Sequence, residues 1–186
     1  MGPGFSFVES ADGSTSKAKG AAKQCFRCGE RRSVVDWRID SPEGRGPIPS
    51  PAMTQASRRR LENAAREAAK ASYAPYSKFA VGAAVLTASG EIFSGCNVEN
   101  ASYGLAICAE RTAVFAAVTA GQRVIKAVAV HTSTASPTMP CGACRQVINE
   151  FGPDATVIGV CDSRRRTTTT LRALQPDAFG PGILLG

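Results

Sequence analysis

Between Ala109 and Cys161 the hydrophobic pattern changes period three times, and this constrains the fold more than any other feature. Ala109–Ala120 carries helical spacing and closes at Gly121. Val124–His131 is a continuous apolar run of strand length. Cys141–Phe151 is helical again, with Gly152-Pro153 behind it, and Thr156–Cys161 is a second apolar strand. Strands apolar on both faces, separated by helices, are the pattern of a sheet covered by helices through crossover connections.

The residues before this core extend it. From Arg58, the positions Leu61, Ala64, Ala65, Ala68 and Ala69 form one apolar stripe, Glu62 stands four before Arg66 as a surface ion pair, and Pro75 bounds the helix. Phe79–Thr87 and Glu91–Cys96 read as strands joined at Ala88-Ser89-Gly90, a hairpin. Leu171–Phe179 reads as a short final helix before a Pro/Gly-rich end. The expected class is α/β: a three-layer α/β/α sandwich around one mixed sheet of about five strands.

Residues 1–52 differ in kind. They are rich in Gly, Pro and Ser without a sustained period, so a flexible extension is expected there and a folded catalytic domain over 53–186. Cys25 and Cys28 offer two ligands where a zinc site needs four, with no His or second pair nearby, and an incidental pair is expected. Met53 at the boundary is a candidate translation start, which an intact mass beginning upstream would dismiss. The first ten residues lack the charged and apolar blocks of a secretory signal. Pro3 behind Gly2 argues against myristoylation.

Of 186 residues, 44% are apolar and 20% charged, which excludes wholesale disorder, and no run of about 18 apolar residues suggests a membrane span. The net charge of +7 divides into +2 over 1–52 and +5 over the rest. Much of it sits in Arg58-Arg59-Arg60 and Arg164-Arg165-Arg166, with no aromatics interleaved. A solvated helix start and a solvated loop are expected there, with a phosphate-binding patch as the alternative. Seven cysteines without a secretory signal suggest metal or free thiols, in the cytoplasm, rather than disulfides.

The chemistry concentrates in Cys108-Ala109-Glu110-Arg111 and Pro140-Cys141-Gly142-Ala143-Cys144-Arg145-Gln146. Cys141 and Cys144 are one helical turn apart at a helix start, where thiol pKa falls. Cys108 adds a third sulfur if the two helices begin side by side, and three ligands leave zinc an open position. Glu110 then lies close enough to exchange protons with a water there. Arg111 is placed to donate to a sulfur. His131, the one histidine, falls at a strand end. A closed four-sulfur site completed by Cys96 or Cys161 is the structural alternative, and it leaves Glu110 unexplained. Cys-x-Glu followed by Pro-Cys-x-x-Cys is the zinc-deaminase signature in its three-cysteine form.

With these runs, Tyr73-Ala74-Pro75-Tyr76-Ser77-Lys78-Phe79, Asn97-Val98-Glu99-Asn100-Ala101-Ser102-Tyr103-Gly104 and Leu174-Gln175-Pro176-Asp177-Ala178-Phe179 make the chain resemble the small homotetrameric cytidine deaminases over about 57–182. The resemblance implies deamination of cytidine and 2′-deoxycytidine in pyrimidine salvage. It implies zinc on Cys108, Cys141 and Cys144, and Glu110 as proton shuttle. Asn97 and Glu99 would hold the ribose and Phe79 the base. Arg111 and Gln146 would stand behind the ligands, and Tyr103 and Phe179 would complete a neighbouring subunit's pocket. The expected partners are a pyrimidine nucleoside and further copies of the chain, with no membrane and no nucleic acid. The competing functions are a deaminase of a nucleoside antibiotic such as blasticidin S, which would not share the full Asn97–Tyr103 run, and a zinc-stabilised nucleic-acid-binding module.

Overall fold

A computed structural model describes residues 53–180. The expected extension over 1–52, with Cys25 and Cys28, lies outside the described residues. Four helices and five strands follow in the order α1 (Gln55–Ala69), β1 (Val81–Thr87), β2 (Ile92–Cys96), α2 (Ala109–Thr119), β3 (Ile125–Thr132), α3 (Gly142–Phe151), β4 (Thr156–Cys161), β5 (Arg166–Thr170) and α4 (Leu171–Leu174). The sheet runs β2-β1-β3-β4-β5. It is mixed: β3 and β4 are parallel, with Val128 opposite Val157, and the other neighbours are antiparallel.

Helices cover both faces. Leu61 and Ala65 of α1 pack on Ala84, Ala127, Ala129, Ile158 and Val160. On the other face Ala113, Val114 and Ala117 of α2 and Ile148 of α3 meet Val85, Val128, Val130 and Val157. This is the expected three-layer α/β/α sandwich. Small residues set the helix heights. A Cβ on Gly82 would collide with the backbone of Ala65 and Ala69, and one on Gly95 would stand 2.6 Å from the Ala113 nitrogen. Both α1 and α2 therefore rest directly on strand backbone, which fixes where α2 begins.

Several expectations need correction. Arg166–Thr170, expected as a loop, is edge strand β5, paired with β4 from Val160↔Arg166 to Thr156↔Thr170. Four β-branched threonines favour the pleated chain, but an edge strand facing solvent shows no apolar alternation. The final helix stops at Leu174, and Gln175 leaves the helical region (φ −143°, ψ 73°) because Pro176 disfavours a helical residue before it. Glu62 is not a surface partner of Arg66. It is buried, with 4% of its surface exposed, and binds Arg58 and Arg166. Arg66 instead donates to the Cys161 carbonyl at 2.8 Å. α1 ends well before Pro75: Lys70, Ala71 and Ser72 tighten to bonds three residues back, and the Tyr73 N–H then pairs with the Asn97 carbonyl.

Candidate active site

Two helices begin at the same place. Cys108 is the residue preceding α2 and Cys141 the residue preceding α3, both with extended backbone (ψ 151° and 168°). Neither end has a side-chain cap. The positive helix ends therefore face their own thiols. Cys144, in the first turn of α3, is fully buried. The Sγ atoms of Cys108 and Cys141 are 4.0 Å apart and those of Cys141 and Cys144 3.5 Å. All three lie within 4.8 Å of one another, the one such set of metal-ligating groups among the described residues. Cys96 and Cys161 stand apart, bonded to the Ala71 carbonyl and to Ser163, so the four-sulfur alternative finds no fourth sulfur.

This donor set fits zinc. Tetrahedral zinc with bonds of about 2.3 Å places its sulfurs about 3.8 Å apart, and the two distances above bracket that value. The Cys108 thiol is pulled down to about 5, first by hydrogen bonding with Cys144 and also by the Arg111 guanidinium, against burial that raises it. The Cys144 thiol moves the opposite way, since the neighbouring thiolate takes its proton as a hydrogen bond. Arg111 Nη2 lies 3.7 Å from Cys108 Sγ and 3.4 Å from the Ala106 carbonyl, and its Nε is buried with no partner. A cation held by soft thiolates, with an arginine behind them, balances this charge.

Beside the sulfurs opens a cleft of about 290 Å³, at the small end of the range for ligand pockets. Phe79, Asn97, Glu99, Cys108, Glu110 and Cys141 all line it. Glu110 is buried, and that burial, reinforced by the Cys108 charge, raises its carboxyl above the usual range. Such a group holds and releases a proton nearer neutrality.

Asn97 and Glu99 are already heavily engaged. The Asn97 Oδ1 accepts from the Ser72 hydroxyl and from the Val81 N–H at 2.8 Å, and Nδ2 donates to the Phe79 carbonyl at 2.9 Å. Glu99 accepts from the N–H groups of Tyr76 and Ser77, at 2.9 and 3.2 Å, and from the Ser77 hydroxyl. Ser77 and these neighbours hold the carboxyl low. By valence, one amide hydrogen on Asn97 and one lone-pair direction on Glu99 stay free. These bonds fix the loop before β1, where Lys78 takes a φ of +58°, uncommon outside glycine, and turns Phe79 to the cleft.

The other expected residues lie elsewhere. Tyr103, 77% exposed, lies edge-on to Tyr76 with ring centroids 6.1 Å apart, in an adjoining hollow that shares Ser77, Glu99 and Ala106 with the cleft. Phe179 is exposed outside the cleft, its carbonyl bound by Gln146 Nε2 at 2.8 Å. Gln146 also accepts from Gln175, so its partners are in the C-terminal segment rather than the sulfurs. His131 is buried in β3 and bonds Asp162 at 3.1 Å.

Two contributors escaped the sequence reasoning. Thr132, the next residue along β3 from His131 and so on the opposite face, presents a buried side chain to the cleft. Strand alternation was the available signal. Arg145 donates to the Pro140 carbonyl at 2.8 Å and the Leu174 carbonyl at 2.9 Å, pinning the peptide before Cys141; no local pattern marks that role.

Comparison with known proteins agrees with this geometry. The family model for the cytidine and deoxycytidylate deaminase zinc-binding region matches residues 55–160. A cytidine deaminase of Sporosarcina psychrophila is 47% identical over 115 residues, covering 61% of this chain and 85% of the relative. One of Mycobacterium tuberculosis is 46% identical over 120 residues, 64% of this chain and 87% of the relative. The crystal structure of a Burkholderia pseudomallei cytidine deaminase superposes with a TM-score of 0.64 at 49% identity, covering 68% of this chain and all of that one.

Proposed function

The chain belongs to the cytidine and deoxycytidylate deaminase zinc-binding family, and on that premise we propose that it hydrolyses cytidine and 2′-deoxycytidine to uridine and 2′-deoxyuridine with release of ammonia. The observation that carries this is one buried carboxylate, Glu110, lining a nucleoside-sized cleft with Cys108 and Cys141 of a three-sulfur zinc site.

Cys108, Cys141 and Cys144 would hold the metal. Zinc, when bound there, supplies Lewis-acid activation of the attacking water. Glu110 takes a proton from that water and places it on N3 of the base, making C4 more electrophilic. The water oxygen bonds to C4; Glu110 then takes the proton of the resulting C4 hydroxyl and delivers it to the 4-amino nitrogen, so that the C4 carbonyl forms as the C4–N4 bond breaks and ammonia leaves. Phe79 packs on the base. The free amide hydrogen of Asn97 and the free lone pair of Glu99 hold the ribose through its 3′-hydroxyl, so loss of the 2′-hydroxyl is tolerated. Arg111 keeps Cys108 ionised, and Gln146 steadies α3 through the C-terminal segment.

The reading extends to setting. Residues 53–186 form the catalytic domain and 1–52 an extension. The protein serves pyrimidine salvage in the cytoplasm as a homotetramer in which Tyr103 and Phe179 reach a neighbour's pocket. Their exposure supports this assembly. No helix among the described residues is long and apolar enough to cross a membrane.

The test is conversion of cytidine to uridine by zinc-analysed protein beside Glu110→Ala. Turnover by the wild type alone, with zinc equal in both, is expected. A wild type with zinc that turns over neither nucleoside would overturn the reading.

A further inference from the structure

The two arginine triplets, about a hundred residues apart in sequence, meet on the face of the sheet opposite the cleft. Arg58 Nε donates to Glu62 Oε1 at 2.9 Å and Arg166 Nε to Glu62 Oε2 at 3.0 Å, so one buried carboxylate grips two guanidiniums. Arg58 Nη2 also donates to the Thr168 hydroxyl at 2.7 Å, tying α1 to β5. Around them lies a cavity of about 530 Å³ lined by Met53, Gln55, Arg58, Arg59, Glu62 and Arg166.

We propose that this cavity is a binding site for an oligophosphate anion, separate from the active cleft. Three guanidiniums against one carboxylate leave two positive charges uncompensated. Arg59, exposed on the cavity wall, pairs with no acceptor among the described residues. Glu62 takes one N–H of Arg58 and one of Arg166, and the Thr168 hydroxyl and the Arg164 carbonyl take a second from each, out of five on each guanidinium. The carboxylate therefore fixes the direction of two forks while leaving most donors free, and part of the ordering cost of binding is met before the ligand arrives. Guanidinium forks match the paired oxygens of phosphate. A single carboxylate ligand would leave positive charge over, whereas a phosphate chain brings at least two negative charges. No aromatic side chain among the described residues lines the cavity, so these residues offer no stacking platform for a nucleic-acid strand. The ligand is either an inorganic oligophosphate or the phosphate arm of a nucleotide.

The experiment is titration calorimetry of the full-length, zinc-loaded protein with sodium tripolyphosphate and, separately, ATP. Ionic strength is held constant and zinc content checked before and after. Saturable binding of one ligand per chain is expected, weakening as salt rises. Arg59→Gln should weaken it about tenfold, the loss of one charge-assisted contact, with melting temperature and cytidine turnover unchanged. Arg123→Gln removes an equal charge from an exposed loop outside the cavity, and should bind as the wild type does. ATP binding tighter than tripolyphosphate would identify a nucleotide ligand, and equal affinity an inorganic one. Unsaturable heats, or equal weakening by Arg59→Gln and Arg123→Gln, would overturn the proposal by reducing the effect to net charge.

Discussion

The Asn97 side-chain amide donates to the Phe79 carbonyl at 2.9 Å while its oxygen accepts from the Val81 N–H at 2.8 Å. One side chain thus sets both the aromatic ring and the start of β1, in addition to any bond with substrate. Asn97→Ala should therefore cost more than a single ribose contact. With 3′-deoxycytidine, which lacks that contact, the variant should still fall about tenfold below the wild type in kcat/KM, the equivalent of one further hydrogen bond. Equal rates for the two proteins on that substrate would confine Asn97 to the sugar.

Arg111 supports Cys108 from behind through Nη2, and its buried Nε has no partner among the described residues. Arg111→Gln should weaken zinc binding or activity by about 10–100-fold, as substitutions behind metal ligands do. Competition with a chromophoric chelator measures the affinity. An unchanged affinity together with unchanged kcat would remove Arg111 from the site's electrostatics.

Gly95 lies under α2, where a Cβ would come within 2.6 Å of the Ala113 nitrogen. Gly95→Ala should destabilise the fold by about 1–3 kcal/mol through overpacking. Because α2 begins at Cys108, the displacement should also loosen the metal. Thermal melts with and without added zinc should both shift downward, and a melt identical to the wild type's would contradict the packing.

Burial alone would raise the Glu62 carboxyl, but the hydrogen bonds from Arg58 and Arg166 outweigh it, and its pKa lies below the ordinary 4.5. The folded state therefore favours the ionised form. Its contribution is complete above pH 4.5 and is lost as the pH falls through the lower folded value. Glu62→Gln should cost about 1–2 kcal/mol at pH 7 through its charged hydrogen bonds, and less as acid is added. Urea melts at pH 7 and pH 3.5 separate the cases: a gap that does not narrow in acid would rule out the carboxylate as its source.

Much of this fold is legible in the chain because its central strands are apolar on both faces. Thr156–Cys161 was readable to the residue, and Val124–His131 was displaced by one position. The three sulfurs were legible because α2 and α3 each follow directly on a cysteine, so their convergence needs only adjacent helices. What was hidden depends on partners distant in sequence. β5 is a strand because β4 pairs with it, and its Arg and Thr side chains carry no apolar signal. Glu62 is buried because Arg166 arrives from 104 residues away. Spacing alone had matched it with Arg66, four places along the same helix. Asn97 and Glu99 were identifiable as polar groups near the pocket, but their grip on residues 72–81 is tertiary and leaves no local trace.

The closeness of Cys141 and Cys144, 3.5 Å between sulfurs at the mouth of a helix, has a consequence for handling the protein. Stripped of metal, the two thiols are a ready dithiol with one partner partly in water. Dissolved oxygen can oxidise such a pair, the two thiols giving up two protons and two electrons as the S–S bond forms. A bridge between them would remove two of the three ligands at once, and zinc added afterwards would find no site until a reductant reopened it. The resident ion therefore also shields its ligands from air, and preparations that lose it should lose the capacity to regain it.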